Sequence, residues 1–139
     1  MEPVKLFLDT NVVIDFYTGR QGDGCAEKVM QCCESGLYRA CISVLTGINT
    51  LYVTRKFTNR ISMGSISELF EILPMDVGQW IEAQEIDIDD PEDAIQLACA
   101  RRNGCRIMVT RDKHLLNLRN PGIRILSPEA FLQLFAIFD

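Results

Sequence analysis

Apolar and polar positions along the chain form blocks that predict strands alternating with helices. Short apolar runs, each suited to one buried strand, occupy residues 4–9, 38–43, 74–77, 105–110 and 123–126. Elsewhere apolar residues recur every three or four positions, which predicts helices at residues 11–18, 25–35, 46–57, 66–72, 78–86, 91–103 and 127–135. This alternation indicates an α/β fold, a three-layer α/β/α sandwich around a mainly parallel five-stranded sheet.

Length and composition predict a single domain that spans residues 1–139. The chain is 47% hydrophobic and 24% charged, which is typical of a soluble globular protein. No apolar run approaches the roughly 20 residues that a membrane span requires, and the first residues lack the features of a signal peptide. We therefore expect a cytoplasmic protein that makes no membrane contact.

The chain contains six cysteines, and their spacing argues against a disulfide framework or a zinc site. They include no C-x-x-C pair, and the single histidine, His114, is distant from most of them in sequence. In a reducing compartment such thiols behave as small apolar side chains. We expect this role for Cys25, Cys32, Cys33, Cys41, Cys99 and Cys105.

The net charge of −5 would repel nucleic acid as a whole, but the charges are unevenly distributed. Residues 101–124 carry seven arginine or lysine residues against one acid, Asp112, whereas residues 85–93, "EIDIDDPED", are strongly acidic. An acidic site beside a basic surface could hold metal ions and position a phosphate backbone. Two ordinary solvated faces would give the same pattern.

Two carboxylates follow predicted strands. Asp9 ends the run "VKLFLD", and Asp112 lies two residues beyond Thr110, where "CRIMVT" ends. Ligands of parallel sheets bind outside the carboxyl ends of the strands. Carboxylates gathered there require a cation or basic partners, and oxygen ligands suit Mg²⁺ or Mn²⁺.

The segment "DDPEDAIQLA" offers a third carboxylate at the start of a predicted helix. Asp90 suits the N-cap, Pro91 the first helical position, and Glu92 the positive end of the helix dipole. Asp93 directly precedes the apolar Ala94, so it can either point inward as a metal ligand or serve the helix terminus. The spacing alone leaves both roles open.

Four segments, "FLDTNVVID", "ISVLTGIN", "DPEDAIQLACARRNG" and "RIMVTRD", resemble in this order the PIN domain (PilT N-terminus) nucleases. Many members of that family are toxins of VapC-type toxin–antitoxin pairs. The resemblance implies a PIN-like fold, hydrolysis of RNA phosphodiester bonds with Mg²⁺ or Mn²⁺, silencing by an antitoxin protein, and a homodimer.

The resemblance also implies the residues of the site. The metal-binding and catalytic acids correspond to Asp9, Asp93 and Asp112. Polar residues that support them correspond to Thr10, Asn11 and Thr110. Asp90 could replace the family's second acid in part, but its role as the N-cap competes with this. Next to this site, Arg111 and Lys113 are expected to bind the RNA backbone, and His114 to be a surface residue.

One family position departs from the pattern. The second acid is normally a glutamate six residues after the serine that ends the second strand, and this position is Asn49. An amide still offers a carbonyl oxygen, but the loss of one charge should weaken cation binding. The alternative is therefore a catalytically weakened PIN-like domain that acts as an RNA- or protein-binding module.

Apolar residues near the end of the chain fit either the core or an interface. The amphipathic pattern favours the core, because a terminal helix must bury one face. The residues concerned are Phe131, Leu134, Phe135, Ile137 and Phe138.

Overall fold

The computed structural model describes residues 2–138, with side chains as far as residue 135. Over this range, strands and helices follow one another in the order β1 (Val4–Leu8), α1 (Thr10–Thr18), α2 (Cys25–Glu34), β2 (Tyr38–Ser43), α3 (Val44–Thr54), α4 (Met63–Leu69), β3 (Glu71–Leu73), α5 (Val77–Ala83), α6 (Pro91–Arg102), β4 (Ile107–Val109), α7 (Lys113–Leu116), β5 (Arg124–Leu126) and α8 (Pro128–Phe138).

The strands of residues 2–138 form one five-stranded sheet in the order β3-β2-β1-β4-β5, with every neighbouring pair parallel. The central strand β1 pairs with β2 on one side and with β4 on the other, where Leu8 lies opposite Val109. Because all strands run in the same direction, the residues that follow β1, β2 and β4 lie at the same edge of the sheet.

Side chains alternate between the two faces of the sheet, and each face is covered by helices. On one face, Leu6 and Leu8 pack in a core with residues of α1, α2 and α8, including Phe131. On the other face, Phe7 packs against Leu97 of α6 and Met108 of β4. This arrangement confirms the predicted three-layer α/β/α sandwich.

The third strand lies earlier than the sequence predicts. It spans Glu71–Leu73 and not residues 74–77, because its pairing with β2 ends where Ser43 lies opposite Leu73. Pro74 then follows, and proline has no N–H with which to continue a strand ladder. The preceding helix is shifted as well: α4 spans Met63–Leu69, whereas the prediction was 66–72.

One helix was not predicted. The four-residue α7 begins at Lys113, because the Asp112 side chain accepts hydrogen bonds from the backbone N–H groups of His114 and Leu115. Such a short helix has too few apolar positions to show a period in the sequence.

Four of the six cysteines, Cys32, Cys41, Cys99 and Cys105, are buried in the core. In the terminal helix Phe131 is fully buried, whereas Leu134 and Phe135 are half-buried against the same core. The side chains of Ile137 and Phe138 lie outside the described residues. None of the helices within residues 2–138 combines the length and apolar character needed to cross a membrane.

Candidate metal centre

Three acidic residues predicted for the site lie at helix starts along the carboxyl edge of the sheet. Asp9 caps α1, Asp112 caps α7, and Asp93 lies in the first turn of α6. The N-cap of α6 is Asp90, as predicted, and its carboxylate accepts a 2.8 Å hydrogen bond from the N–H of Glu92. Unpaired N–H groups at helix starts favour negative charge, so the backbone stabilises carboxylates at this edge.

Asp9 is held deep in the site by neighbouring donors. It is 5% exposed, and its carboxylate accepts hydrogen bonds from the Thr110 hydroxyl at 2.8 Å, from Gln96 Nε2 at 3.2 Å and from Asn11 Nδ2 at 3.4 Å. Burial raises the pKa of Asp9, while hydrogen bonds from the Thr110 hydroxyl, the Thr10 N–H and Gln96 oppose the increase. Asp9 therefore has a fixed orientation at the end of the central strand.

Asp93 points inward and has an oxygen without a partner. It is 7% exposed, and its Oδ2 atom is buried with no hydrogen bond. Burial, and then the negative charges of Asp112, Asp90 and Asp9, raise the pKa of Asp93 to about 7. A buried carboxylate oxygen in such a field needs either a proton or a cation.

The three aspartates are neighbours but do not form a compact ligand set. Within the described part of the chain, the side chains of Asp9, Asp93 and Asp112 do not all bring an oxygen within 4.8 Å of one another. With Mg²⁺–oxygen bonds of about 2.1 Å, ligands of one ion lie at most about 4.2 Å apart. Direct ligation of one ion by all three would therefore require a side-chain shift.

The predicted supporting residues surround Asp9. Thr110 donates to Asp9 and accepts a 3.0 Å hydrogen bond from the N–H of Asp112, so one hydroxyl links both acids. The N–H of Thr10 donates to Asp9 Oδ1 at 2.9 Å, and the side-chain oxygen of Asn11 accepts from the N–H of Arg111.

A buried polar layer beneath Asp9 was not predicted. Gln96 is fully buried, donates from Nε2 to the Thr46 hydroxyl at 2.6 Å and to Asp9, and accepts a hydrogen bond from the Ser43 hydroxyl. Its signal in the sequence is an amide three residues after Asp93, which lies on the same face of the helix. An amide in the otherwise apolar stretch "AIQLACA" is unusual, because burial requires partners for it.

Asn49, which the sequence analysis assigned to the position of a second acid, makes no hydrogen bond to Asp9 among the described residues. Its Nδ2 atom donates a 2.9 Å hydrogen bond to Oε1 of Glu92. Partial burial and the negative charges of Asp9 and Asp90 raise the pKa of Glu92. Glu92 thus belongs to the electrostatic environment of the site, although the sequence assigned it only to the helix dipole.

Arg111 makes three ion pairs next to the site. Its guanidinium pairs with Asp15 at 2.9 Å, Glu129 at 3.0 Å and Asp23 at 3.3 Å. These pairs join α1, α8 and the loop before α2, and a role of Arg111 in binding the RNA backbone stays a prediction. Lys113 is exposed and next to Asp112, so it remains available for a phosphate.

A second cluster, Asp23, Cys25 and Glu129, brings its ligand atoms within 4.8 Å of one another, but both carboxylates already pair with Arg111.

A groove runs between α7 and the loop before α6. Its lining includes Asp87, Asp89, Lys113, His114 and Arg119. His114 is exposed, as predicted, with its Nδ1 atom 3.6 Å from the Asp112 carboxylate.

The fold and the site together define a class: an α/β sandwich that gathers carboxylates at the carboxyl edge of a parallel sheet. A family model described as a PIN domain matches residues 5–114, a range that contains Asp9, Asp93 and Asp112. The chain belongs to the PIN domain family.

Similar proteins come from several bacteria. The chain is 26% identical to "Ribonuclease VapC1" of Aquifex aeolicus (strain VF5), in a match that covers 96% of each protein. A structure titled "Toxin-antitoxin complex from Klebsiella pneumoniae" shares the fold with a TM-score of 0.67 and 21% identity, over 88% of this chain and 97% of that one. VapBC-1 from nontypeable Haemophilus influenzae gives a TM-score of 0.63 and 17% identity, over 91% of this chain and 99% of that one.

Proposed function

We propose that this PIN domain protein is a metal-dependent ribonuclease that hydrolyses RNA phosphodiester bonds, and that it is the toxin of a toxin–antitoxin pair. The observation that carries the proposal is the buried, unpartnered oxygen of Asp93, which faces Asp112 and Asp9. The similarity to a protein named as a ribonuclease, over almost the whole chain, supports the reaction class.

Asp9, Asp93 and Asp112 would hold Mg²⁺ or Mn²⁺, since their donors are all carboxylate oxygens. When bound, the ion would acidify a water and offset negative charge on the phosphate. Thr110 and Asn11 keep the Asp9 carboxylate in place through hydrogen bonds, and Gln96 does so from below. These donors would prevent Asp9 from rotating as substrate enters.

The RNA backbone would approach along the groove between α7 and the loop before α6. Lys113 and Arg119 line this groove beside Asp112 and would pair with phosphates. The acidic residues Asp87 and Asp89 on its opposite wall would repel phosphate, so the backbone would follow the basic side. An RNA substrate also fits a cytoplasmic location.

The alternative is an RNA- or protein-binding module without cleavage. It is favoured by Asn49, since a PIN site normally carries a carboxylate there. Such a module would bind RNA without dependence on a divalent cation, because phosphate contacts from lysine and arginine need none.

The test compares the parent protein with Asp93→Asn in two assays. We expect the parent to cleave RNA in Mn²⁺ and Asp93→Asn to lose at least about a hundredfold in rate, because a principal ligand is lost. Calorimetry should show Mn²⁺ binding to the parent only. Glu34→Gln, at an exposed position of α2 away from the groove, is the control for the loss of a surface charge. A parent that binds RNA but neither cleaves it nor takes up Mn²⁺ would favour the binding module.

An antitoxin would bind the apolar groove between α3 and α4. Its exposed or partly exposed lining includes Ile48, Tyr52 and Met63, and an apolar surface of this kind suits a partner segment.

A second exposed apolar surface lies on α5, with Val77, Trp80 and Ile81, and would form the interface of the homodimer. Light scattering of Trp80→Asp and Tyr52→Asp would separate the roles: only the former should convert a dimer to a monomer.

A further inference from the structure

Asn49 and Glu92 form a hydrogen bond that joins α3 to α6 beside the candidate metal centre. A glutamate at position 49 would repel the Glu92 carboxylate, whereas the amide donates to it. The Glu92 carboxylate can therefore lie next to position 49 because this position carries an amide and not a second carboxylate. The two residues are separated by 43 positions in the sequence, so this pairing exists only in the fold.

Glu92 and Asp93 are consecutive residues on α6 and point in different directions, since successive helical residues are about 100° apart. Asp93 is buried and lies within the electrostatic field of Asp112. Glu92 turns toward α3, where it lies within the field of Asp9. Glu92 and Asp93 thus both lie within the electrostatic field of Asp9. In the described part of the chain, no three of the acids Asp9, Glu92, Asp93 and Asp112 bring ligand atoms within 4.8 Å of one another.

The Glu92 side chain is exposed, and repulsion alone would move its carboxylate away from the neighbouring acids. It carries the same charge as Asp9 and Asp90, and an exposed glutamate at a helix start is free to extend away from them. The Asn49 amide instead holds its carboxylate at 2.9 Å. A separate observation also points to a bound cation at this place. The Oδ2 atom of Asp93 is buried and has no hydrogen-bond partner.

We propose that Glu92 is the fourth carboxylate of the cation site, supplied by α6 in place of α3, and that Asn49 is its positioning residue. With Glu92 included, the site again has four acids: Asp9, Glu92, Asp93 and Asp112. This inference rests on the proposed function, because it assumes that the site binds a divalent cation.

The test measures Mn²⁺ affinity by calorimetry, with thermal unfolding as a check that each variant is folded. We expect Glu92→Gln to weaken Mn²⁺ binding by more than about tenfold, because a full negative charge near the ion is lost. Asn49→Ala should weaken it by about tenfold, because the charge remains but is no longer held. Glu34→Gln, an exposed glutamate on α2, should leave the affinity unchanged.

A double variant distinguishes a ligand role from a merely structural one. Asn49→Glu combined with Glu92→Gln exchanges the two groups: the carboxylate is then on α3 and the amide on α6, and the two can still form a hydrogen bond. We expect this exchange to restore Mn²⁺ affinity to within about threefold of the parent. A residue that only stabilised the start of α6 would give no such recovery.

The outcomes separate the two proposals. If Asp93→Asn abolishes Mn²⁺ binding but Glu92→Gln behaves like Glu34→Gln, the assignment of Glu92 is wrong and the proposed function stands. If the parent itself takes up no Mn²⁺, both fail. Weakened binding in Glu92→Gln with recovery in the double variant would support the inference.

Discussion

Gln96 donates a hydrogen bond of 3.2 Å from its side-chain amide to the carboxylate of Asp9, and so joins the middle of α6 to the end of the central strand. The same amide contacts the Thr46 hydroxyl, and its oxygen accepts from Ser43. The orientation of Asp9 thus depends on a fully buried side chain that lies beneath the site.

Gln96→Leu should destabilise the protein by about 2–3 kcal/mol, because Ser43, Thr46 and Asp9 would lose a buried hydrogen-bond partner. Urea unfolding would measure this change in the free energy of unfolding. Gln133→Leu, at an exposed position of α8, is the control and should change it by less than about 0.5 kcal/mol. Equal effects of the two substitutions would contradict the role of Gln96.

The raised pKa of Asp93 predicts that stability falls as pH rises in the presence of a chelator. Between the ordinary value of 3.8 and about 7, the folded protein keeps a proton on Asp93 that the unfolded chain releases. The free energy of unfolding therefore decreases with pH across this window, and the penalty is complete above it.

Asp93→Asn should remove this penalty. At about pH 8 we expect the variant to be more stable than the parent by on the order of 2 kcal/mol, since one pKa unit corresponds to about 1.4 kcal/mol and the neighbouring acids share the effect. At about pH 4 the two should be equally stable. Asp87→Asn, on the exposed loop, should show no such pH-dependent difference; if it does, the effect is general surface charge.

Arg111→Leu should destabilise the protein by about 2–4 kcal/mol, because it leaves the carboxylate of Asp15, only 2% exposed, without one of its two arginines. Chemical unfolding of Asp15→Asn and of the double variant would complete a mutant cycle, in which the two losses should not add. Arg60→Leu provides the exposed control. Additive losses would mean that Arg111 and Asp15 act independently.

Lys113→Ala should weaken RNA binding by about three- to tenfold and reduce the salt dependence of binding by about one counterion. The measurement is best made in an Asp9→Asn background with short single-stranded RNA, so that cleavage does not interfere. Lys28→Ala, on the exposed side of α2, should leave affinity and salt slope unchanged. A similar loss in both variants would indicate a general charge effect in place of the proposed RNA path.

The acids at the carboxyl edge of the sheet were predicted more accurately than the bounds of the third strand. Asp9 and Asp112 could be placed together because each follows a buried apolar run, and parallel strands end at a common edge. The third strand was misplaced because the apolar stretch around Leu73 continues through Pro74 to Met75. Only the pairing with β2 decides where that strand begins and ends.

The contacts that complete the site could not be predicted, because they join segments distant in sequence. Gln96 stands out as an amide in an apolar stretch, but the sequence does not show that its partners are Ser43, Thr46 and Asp9. The choice between solvent and carboxylates for the Arg111 guanidinium depends on where α1 and α8 meet. Likewise, the helix dipole explained Glu92 locally, and only the approach of α3 showed its bond with Asn49.

The strand order has a consequence for the newly synthesised chain. β1 lies between β2 and β4, so the strand that carries Asp9 obtains its second neighbour only when residues 107–109 have been made. Asp93 and Asp112 are likewise synthesised long after Asp9. The nascent chain therefore exposes an incomplete sheet and separated acids until residues 107–112 have been made, and the site can assemble only after that point.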